Sequence, residues 1–462
     1  MTECRTSGPI NETIEMKLWQ KKFNVNKEVE TFTVGDDPKI DLNLVYWDCV
    51  ASSAHGQMLS SINILTKNEY SSLKKGLKDI ASLHEKNKFV IKQEDEDCHT
   101  AIENFLVKKI GDVGKKIHTG RSRNDQVLVA TRLYTKAEIQ NSIETALTLI
   151  KTLLKIAEQY KEVPMPGFTH MQKAMPSSVG LFFNAHAEAL LDDIKILKNA
   201  YELNDQNPLG SAAGYGTQFK LNRTLTTKLL GFDKVQNNVL YCQNSRGKIE
   251  STVIHALLQT MQDCAKLAND ILLFSMPQFQ YFSFPKEYTT GSSIMPQKKN
   301  LDIFELVRGK ASILHGNFAA VVSLTHKLPS GYNREYQLIK KNIINSFETT
   351  EQTLSIMNTV LKKIHVHEIN CKKDCTPELF ATDYANMLVQ NGMPFRDAYQ
   401  KVASEVHLLK DEDPVKNIMS KKHIGATGNL GFDKLNDEVK KYSDWLNKEE
   451  KEFSDKIGKL LN

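Results

Sequence analysis

The sequence contains no long apolar run, and its amino terminus lacks the apolar segment that a secretion signal needs. No stretch reaches the roughly 18 consecutive apolar residues that a membrane-spanning helix requires. The net charge is also small, because 60 Lys and Arg residues nearly balance 55 Asp and Glu residues. These absences predict a cytoplasmic protein with neither a membrane nor a nucleic-acid partner.

Cysteine is sparse, and the irregular spacing of the seven cysteines argues against a disulfide framework. Cys371 and Cys375 lie four residues apart, but no second Cys or His pair completes a zinc site. A Walker loop, a GxGxxG fingerprint, an HExxH pair and an EF-hand loop are all missing. The chemistry is therefore cofactor-free or uses an organic cofactor bound without a motif. Of these two possibilities we expect the first, that the protein uses neither a cofactor nor a metal.

Helical spacing, in contrast, is abundant. Apolar residues recur three and four positions apart in four long runs, at residues 127–160, 178–203, 248–274 and 303–324. No clean alternation typical of a strand is present, and residues 1–45 are predicted to be irregular. Long helices joined by short polar breaks predict an all-α helix bundle, and 462 residues predict two or three domains.

The break at residues 291–300, GSSIMPQKKN, combines a glycine, two hydroxyls, two lysines and an asparagine. Gly291 permits a hinge, an ionised serine can take a proton, and Lys298 and Asn300 can hold an anion. Such a loop suits a reaction in which negative charge develops on a substrate carboxylate. A surface loop with a solvated lysine pair is the alternative, and spacing alone favours that alternative.

Three other polar segments are candidates for function. Residues 118–125 place two arginines, a serine and an asparagine at a helix start, which makes an anion clamp, a capped helix end, or both. His170 follows Thr169 in a proline-marked loop and is either a general base or, as its isolation favours, a structural hydrogen-bonding group. Gln337 and Lys340 share a helix face, for which a solvated surface is the default.

Taken together, these segments resemble the fumarase/aspartase superfamily. The QKK version of the loop at residues 291–300 is similar to that of argininosuccinate lyases, and HTGRSRNDQV at residues 118–127 is close to diagnostic of them. Three further segments match in order and spacing: DCHTA at 97–101, PGFTHMQKAMP at 166–176 and NPLGSAAGYGT at 207–217. The resemblance extends from about Trp19 to about Lys340.

The resemblance implies an all-α fold of three mainly helical domains, which we place at residues 1–118, 119–368 and 369–462. The central domain contributes five long helices, and four chains join these helices into the twenty-helix core of a homotetramer. Each active site is then shared by three chains. The motifs of one chain therefore need not meet within that chain.

The implied reaction is the reversible elimination of argininosuccinate to arginine and fumarate through an aci-carboxylate, a step of arginine biosynthesis. By resemblance, Ser292 is the catalytic base and His170 is the general acid or its positioner. Lys298 stabilises the serine alkoxide and, with Asn300, holds the carboxylate that gains charge. Glu305 matches an acidic partner that orients His170.

The resemblance also assigns the contacts to the substrate. Thr169 binds a succinyl carboxylate, and Asp41 lies near the arginine end of the substrate. The other substrate-binding positions are Ser122, Arg123, Asn124, Arg246, Tyr332, Gln337 and Lys340.

Three single positions and one segment depart from the family pattern. Leu301 replaces a proline, Gly247 replaces an acidic residue, and Asp37 stands where a serine is usual. Residues 18–23 have the sequence LWQKKF, whereas the family has a sequence similar to LWGGRF at this place.

Two alternatives to an argininosuccinate lyase follow from the same resemblance. One is a sibling enzyme such as adenylosuccinate lyase, against which the HTGRSRND segment argues. The other is a catalytically silent structural protein like the eye-lens crystallins of this family, against which the intact Ser292, His170 and Lys298 argue. Turnover of the substrate separates all three.

Overall fold

The computed structural model describes residues 26–462, which form the mainly helical protein that the sequence predicts. Its α-helices are α1 (Lys27–Val34), α2 (Asp37–Ile40), α3 (Val45–Ser61), α4 (Lys67–Glu85), α5 (Cys98–Ile110), α6 (Asp112–Lys115), α7 (Arg123–Gln159), α8 (Val179–Asn204), α9 (Arg223–Leu230), α10 (Val239–Asn244), α11 (Lys248–Phe274), α12 (Asp302–Thr325), α13 (Ile339–Leu361), α14 (Glu368–Lys373), α15 (Ala381–Gln390), α16 (Phe395–Glu405), α17 (Pro414–Ser420) and α18 (Phe432–Leu461). Its strands are β1 (Pro164–Thr169), β2 (Gln172–Ser178), β3 (Gln206–Asn207), β4 (Lys234–Val235), β5 (Phe282–Ser283) and β6 (His365–Val366). No helix in this range is both long and apolar enough to cross a membrane. The departure at residues 18–23 lies outside the described residues.

Five long helices, α7, α8, α11, α12 and α13, pack side by side as a bundle. The four predicted runs match α7, α8, α11 and α12 to within a few residues, and the run at 248–274 matches α11 at both ends. Periodicity does not predict α13, because buried threonines at 349, 350 and 353 interrupt its apolar pattern. The hydroxyls of Thr350 and Thr353 are instead satisfied by carbonyls one helical turn earlier.

The bundle has two distant ends. At the first, called the pocket end here, the guanidinium of Arg246 before α11 donates to the Asn124 carbonyl in α7, and Gly247 touches the last residue of α12. At the other, called the hairpin end, Phe168 packs on Phe274 at the end of α11, with ring centroids 5.7 Å apart. Since α11 has 27 residues, it spans about 40 Å between these ends.

The start of α7 is fixed by a capping box. Ser122 Oγ accepts the Asn124 N–H at 3.3 Å, and Asp125 Oδ1 accepts the Ser122 N–H at 2.8 Å. The helix start predicted for the HTGRSRND segment is therefore confirmed, with Ser122 as its N-cap.

Two predictions about local structure are wrong. Strands β1 and β2 form an antiparallel hairpin, from Pro164 opposite Ser178 to Thr169 opposite Gln172, where no strand is predicted. The first three residues of β1 are all buried and two of them are prolines, so the strand shows no alternation in sequence. Residues 27–44 are not irregular either, because they form α1, α2 and a 3-10 helix at Asp41–Leu44.

The last helix, α18, has 30 residues and returns along the molecule to pack against α3, α4, α7, α8 and α9. Trp47 of α3 stacks on Phe453 with ring centroids 6.0 Å apart, and Tyr201 of α8 meets Trp445 edge-on at 5.4 Å. The carboxyl-terminal segment is thus fastened to the rest of the chain by aromatic contacts. The domain boundaries placed after residues 118 and 368 stay a prediction.

Candidate active site

A pocket opens at the pocket end of the bundle. It is lined by Val34, Asp37, Glu96, Asp97, Arg123, Asn124, Val127, Arg246, Tyr332, Arg334, Tyr336, Gln337 and Lys340. Six of the ten predicted substrate-binding residues are among these, brought together from the start of α7, the start of α11, residues 332–337 and the start of α13.

Lys340 is held between two carboxylates. Its Nζ lies 2.5 Å from Asp41 Oδ1 and 2.9 Å from Asp37 Oδ2. Burial disfavours the charged form of Lys340, but the two carboxylates outweigh burial and raise its pKa. Burial raises the pKa of Asp37 to about 6, although Lys340 opposes that shift. Asp41 supports the pocket wall from behind, and Asp37, which replaces the usual serine, is part of that wall.

Gln337 closes the pocket on the side of the amino-terminal helices, and Tyr332 lines it beside Arg246. The Gln337 amide donates to the carbonyls of Thr33 and Val34 at 3.0 and 3.2 Å, which holds the end of α1 against the pocket. Tyr332 lies beside Arg246, whose guanidinium carbon is 5.3 Å from the tyrosine ring centroid. Both predicted residues therefore sit where a ligand in the pocket would meet them.

Arg123 forms ion pairs with two acidic residues that precede α5. Its Nη1 donates to Glu96 Oε2 at 2.9 Å, its Nε lies 3.3 Å from Asp97 Oδ2, and its Nη2 donates to Thr100 Oγ1 at 2.9 Å. Asp97 also caps α5 by accepting the Thr100 N–H at 2.9 Å. Arg123 thus joins α5 to α7. This contact explains physically why the DCHTA and HTGRSRND motifs occur together.

Arg246 is a buried cation that forms no ion pair with an acid in the described chain. Its Nε donates to Gln243 Oε1 at 3.1 Å, its Nη2 donates to the Asn124 carbonyl, and its guanidinium lies over the rings of Tyr332 and Tyr336. Within residues 26–462 no carboxylate forms an ion pair with it, and only 7% of its surface is exposed. Burial lowers its pKa. The arrangement suits an anionic ligand group.

Asp125 is a further buried residue of the pocket end, for which the sequence predicts only a possible helix cap. Its Oδ2 accepts the N–H groups of Gly210 and Ala212, both at 2.9 Å, and its Oδ1 accepts that of Ser122. Burial raises its pKa to about 6 in spite of these donors. The carboxylate fastens the NPLGSAAG segment to the start of α7. The one sign of this contact in the sequence is that both segments belong to the same ordered set of motifs.

Thr169 and His170 lie at the hairpin end, exposed at the tip of the β1–β2 hairpin. His170 and Met171 have φ angles of 51° and 60°, which a two-residue hairpin turn requires at both central positions. Left-handed backbone at two non-glycine residues is costly, and such strain concentrates at functional sites. The turn presents His170 at the edge of a groove between the hairpin, α8 and α11.

The loop of residues 291–300 lies at the hairpin end too, immediately before α12. Its base is closed by two backbone hydrogen bonds between Thr290 and Asn300, at 3.0 and 2.8 Å. Ser292 Oγ accepts the N–H groups of Ile294 and Met295 at 3.4 and 3.2 Å. Lys298 is exposed on the same loop. The Ser292 oxygen therefore faces two backbone donors with a lysine nearby in sequence.

The structure divides the predicted site residues into two groups. Those at the pocket end are Asp41, Ser122, Arg123, Asn124, Arg246, Tyr332, Gln337 and Lys340, and those at the hairpin end are Thr169, His170, Ser292, Lys298, Asn300 and Glu305. Glu305 is exposed in the first turn of α12, and no hydrogen bond or ion pair joins it to His170 within the described chain. One chain alone does not bring the two groups together.

Comparisons with known proteins place this all-α chain in the class of lyases. A family model described as lyase matches residues 16–316, and one described as argininosuccinate lyase C-terminal matches residues 378–423. The argininosuccinate lyase of Bacteroides fragilis is 44% identical to this chain over 426 residues, 92% of this chain and 93% of that protein. The enzyme of the same name from Thermotoga neapolitana is 44% identical over 395 residues, 86% and 99% of the two chains. The chain belongs to the argininosuccinate lyase family.

Solved structures show the same fold at lower sequence identity. An EDDS lyase in complex with formate superposes with a TM-score of 0.79 at 21% identity, covering 93% of this chain and 94% of that one. A class II fumarase from Schistosoma mansoni superposes with a TM-score of 0.71 at 16% identity, covering 87% and 98%.

Proposed function

We propose that this chain catalyses the reversible elimination of argininosuccinate to arginine and fumarate, a step of arginine biosynthesis. The observation that carries the proposal is the pair of N–H groups that donate to Ser292 Oγ. A serine hydroxyl is a poor base, and donors aimed at its oxygen stabilise the alkoxide that can act as one. The relatives named argininosuccinate lyase support the choice of substrate.

In the proposed reaction, the Ser292 alkoxide takes a proton from the succinyl carbon next to a carboxylate. The electron pair moves into that carboxylate, where Lys298 and Asn300 stabilise the added charge. The pair then returns to form the double bond of fumarate while the carbon–nitrogen bond breaks. The guanidino nitrogen leaves with a proton supplied from the side of His170. No metal or cofactor takes part in these steps.

The remaining hairpin-end residues have supporting roles in this proposal. Thr169, next to His170 at the tip of the turn, binds the second succinyl carboxylate. Glu305 orients His170 across the contact between two copies, since the two residues form no contact within one chain.

The pocket-end residues bind the arginine part of the substrate in this proposal. Asn124, Tyr332 and Gln337 line the pocket with polar groups, and Lys340, which Asp41 contacts from behind, is part of the pocket wall. Arg246 supplies the unpaired cation for the substrate's α-carboxylate. Ser122 and Arg123 fix the start of α7 and so place Asn124.

We also infer that four copies assemble, with each active site built from three of them. The two residue groups of one chain lie at opposite ends of the bundle, so a complete site needs more than one chain. Helix α12 supports this assembly, because Leu306, Gly309, Ile313 and Gly316 follow one another at three- and four-residue spacing and are all exposed. A stripe of apolar and small residues along a long helix suits packing against another helix.

We further propose that the protein acts in the cytoplasm. The six cysteines within residues 26–462 are all free, and five of them are buried. Free thiols in this number fit a reducing compartment.

The proposed reaction is tested by the absorbance of fumarate after argininosuccinate is added to the purified chain. We expect equal amounts of fumarate and arginine from the wild type and from Ser293→Ala, a matched change of the neighbouring exposed hydroxyl. Ser292→Ala should remove the activity while leaving the circular dichroism spectrum unchanged. A folded wild type that leaves argininosuccinate intact would contradict the proposal; adenylosuccinate would then be the next substrate, and failure on both would favour a silent, crystallin-like protein.

A further inference from the structure

The pocket end carries a buried acid, Asp37, to which the proposed reaction gives no role. Asp37 opens α2, is 9% exposed and lines the pocket. Its Oδ2 lies 2.9 Å from Lys340 Nζ, which already contacts Asp41 Oδ1 at 2.5 Å. Two carboxylates therefore surround one ammonium, and this wall of the pocket has an excess of negative charge.

The other charged groups around Asp37 do not remove this excess. Asp97 also faces Asp37 and adds negative charge, but it is itself 3.3 Å from the guanidinium of Arg123. Asp41 is fully buried, and its second oxygen accepts the Cys98 N–H at 3.3 Å. Asp37 is thus the member of the pair that a ligand in the pocket can reach.

The same pocket holds the opposite charge on a different wall. Arg246, at the start of α11, has neutral hydrogen-bond partners and two tyrosine rings around its guanidinium, and forms no ion pair in the described chain. Glu250 attracts Arg246 but is itself paired with Arg132 at 3.4 Å. One wall therefore favours a cation and the other favours an anion. The α-ammonium and α-carboxylate of an amino acid present this pair of charges on one carbon.

We propose that Asp37 is a specificity-determining residue whose carboxylate binds the α-ammonium group at the amino-acid end of the substrate. This inference deepens the proposed function and rests on it. Asp37 selects substrates whose leaving half is a zwitterionic amino acid, and it disfavours those whose leaving half carries an anionic group such as a phosphate. Lys340 keeps the carboxylate in place, and the arriving ammonium supplies the compensating charge.

The test uses the reverse reaction, followed by the loss of fumarate absorbance. Fumarate is offered either with arginine or with 5-guanidinopentanoate, in which hydrogen replaces the α-amino group. For the wild type we expect the KM of this analogue to exceed that of arginine by about tenfold to a hundredfold, as for the loss of a hydrogen bond between charged groups. Asp37→Asn should raise the KM of arginine by a similar factor and change that of the analogue by less than about threefold.

Asp36→Asn is the matched control, since it removes the same charge one residue earlier. Asp36 is exposed and pairs with Lys341 outside the pocket, so arginine and the analogue should both keep their wild-type KM.

Three results would overturn the inference while the proposed function stands. In the first, the wild type has the same KM for arginine and for the analogue. In the second, Asp37→Asn has the wild-type KM for arginine. In the third, Asp37→Asn raises the KM of arginine and of the analogue by the same factor. The third would mean that Asp37 acts only by positioning Lys340. The wild-type comparison holds even if Asp37→Asn fails to fold. A wild type that consumes no fumarate with arginine would instead overturn the proposed function, and this inference with it.

Discussion

At the residue scale, Lys298 and Lys299 are adjacent exposed lysines. Only Lys298 is proposed to stabilise the negatively charged intermediate. Lys298→Met should lower kcat by about a hundredfold to a thousandfold, because a group that stabilises the charged intermediate more than the substrate acts mainly on kcat. Lys299→Met should retain kcat within about threefold. Steady-state fumarate release measures both, and similar losses in the two variants would mean that loop charge in general, not Lys298, is responsible.

Asp193 of α8 gives a second prediction at this scale. It is buried beside Asp263 of α11, and burial, with the charge of that neighbour, raises the pKa of Asp193 to about 8. Because its ordinary pKa is 3.8, the folded protein binds a proton that the unfolded chain has released between these two values. The stability that this proton provides is fully present below about pH 3.8 and is lost progressively as pH rises from there through about 8.

Asp193→Asn keeps a hydrogen-bonding side chain at this position but does not ionise. The Tm of Asp193→Asn minus that of the wild type should therefore be larger at about pH 9 than at about pH 5, because most of the range between 3.8 and 8 lies above pH 5. Thermal unfolding at both pH values measures the difference, with the exposed Asp192→Asn as the control. A Tm shift of the same size at both pH values would show that Asp193 does not bind an extra proton in the folded protein.

At the scale of elements, Gly180 holds the start of α8 against the end of α7. A Cβ at Gly180 would lie 2.5 Å from Lys161 Cα and 2.8 Å from the Ala157 carbonyl oxygen, and backbone atoms cannot move aside as a side chain can. Gly180→Ala should lower the free energy of unfolding by about 1–3 kcal/mol. Gly458→Ala in α18 should raise it by about 0.5–1 kcal/mol, because a Cβ there meets only Asn462 at 3.9 Å.

Denaturant unfolding at one fixed protein concentration measures both changes. A Gly180→Ala protein as stable as the wild type would contradict the packing described for α7 and α8, and a destabilised Gly458→Ala protein would contradict the open space described at Gly458.

The elements also show how far sequence pattern reaches. Helix α11 follows from sequence because its buried positions are apolar at helical spacing over its whole length. Helix α13 does not, since buried threonines satisfied by helix carbonyls look polar in the sequence. The β1–β2 hairpin stays hidden for a different reason. Its prolines break the alternation, and its turn is made by His170 and Met171, where glycine or asparagine would be the usual signal.

One departure from the family pattern has a local explanation. Gly247 has a φ of 81° and its N–H donates to Glu250 at 2.6 Å. A Cβ at Gly247 would lie 2.4 Å from Thr325 Oγ1, at the end of α12. An acidic residue, usual here in the family, would force α11 and α12 apart at this end.

At the scale of the whole molecule, the motifs name the candidate residues but not their neighbours. Ser292 and Lys340 are both found from sequence, yet about 40 Å of helix separates the ends of the bundle at which they lie. No pattern in a single chain states which copy completes a site. The sequence does not predict the roles of Asp37 and Asp125 for the same reason, because these roles depend on contacts with Lys340 and with residues 210–212.

The central claim is that residues from different copies form one active site, and mixing two inactive variants tests it most directly. Ser292→Ala removes the base at the hairpin end. Asn124→Leu replaces a polar side chain at the pocket end with an apolar one of similar size. Each variant alone should be folded and inactive.

After the two variants are dissociated in mild denaturant and reassembled together, some sites combine an intact Ser292 with an intact Asn124 from different chains. We predict that the mixture converts argininosuccinate, whereas each variant taken through the same treatment alone does not. If co-purification of differently tagged chains proves that mixed assemblies form and they stay inactive, the account of a shared site is contradicted.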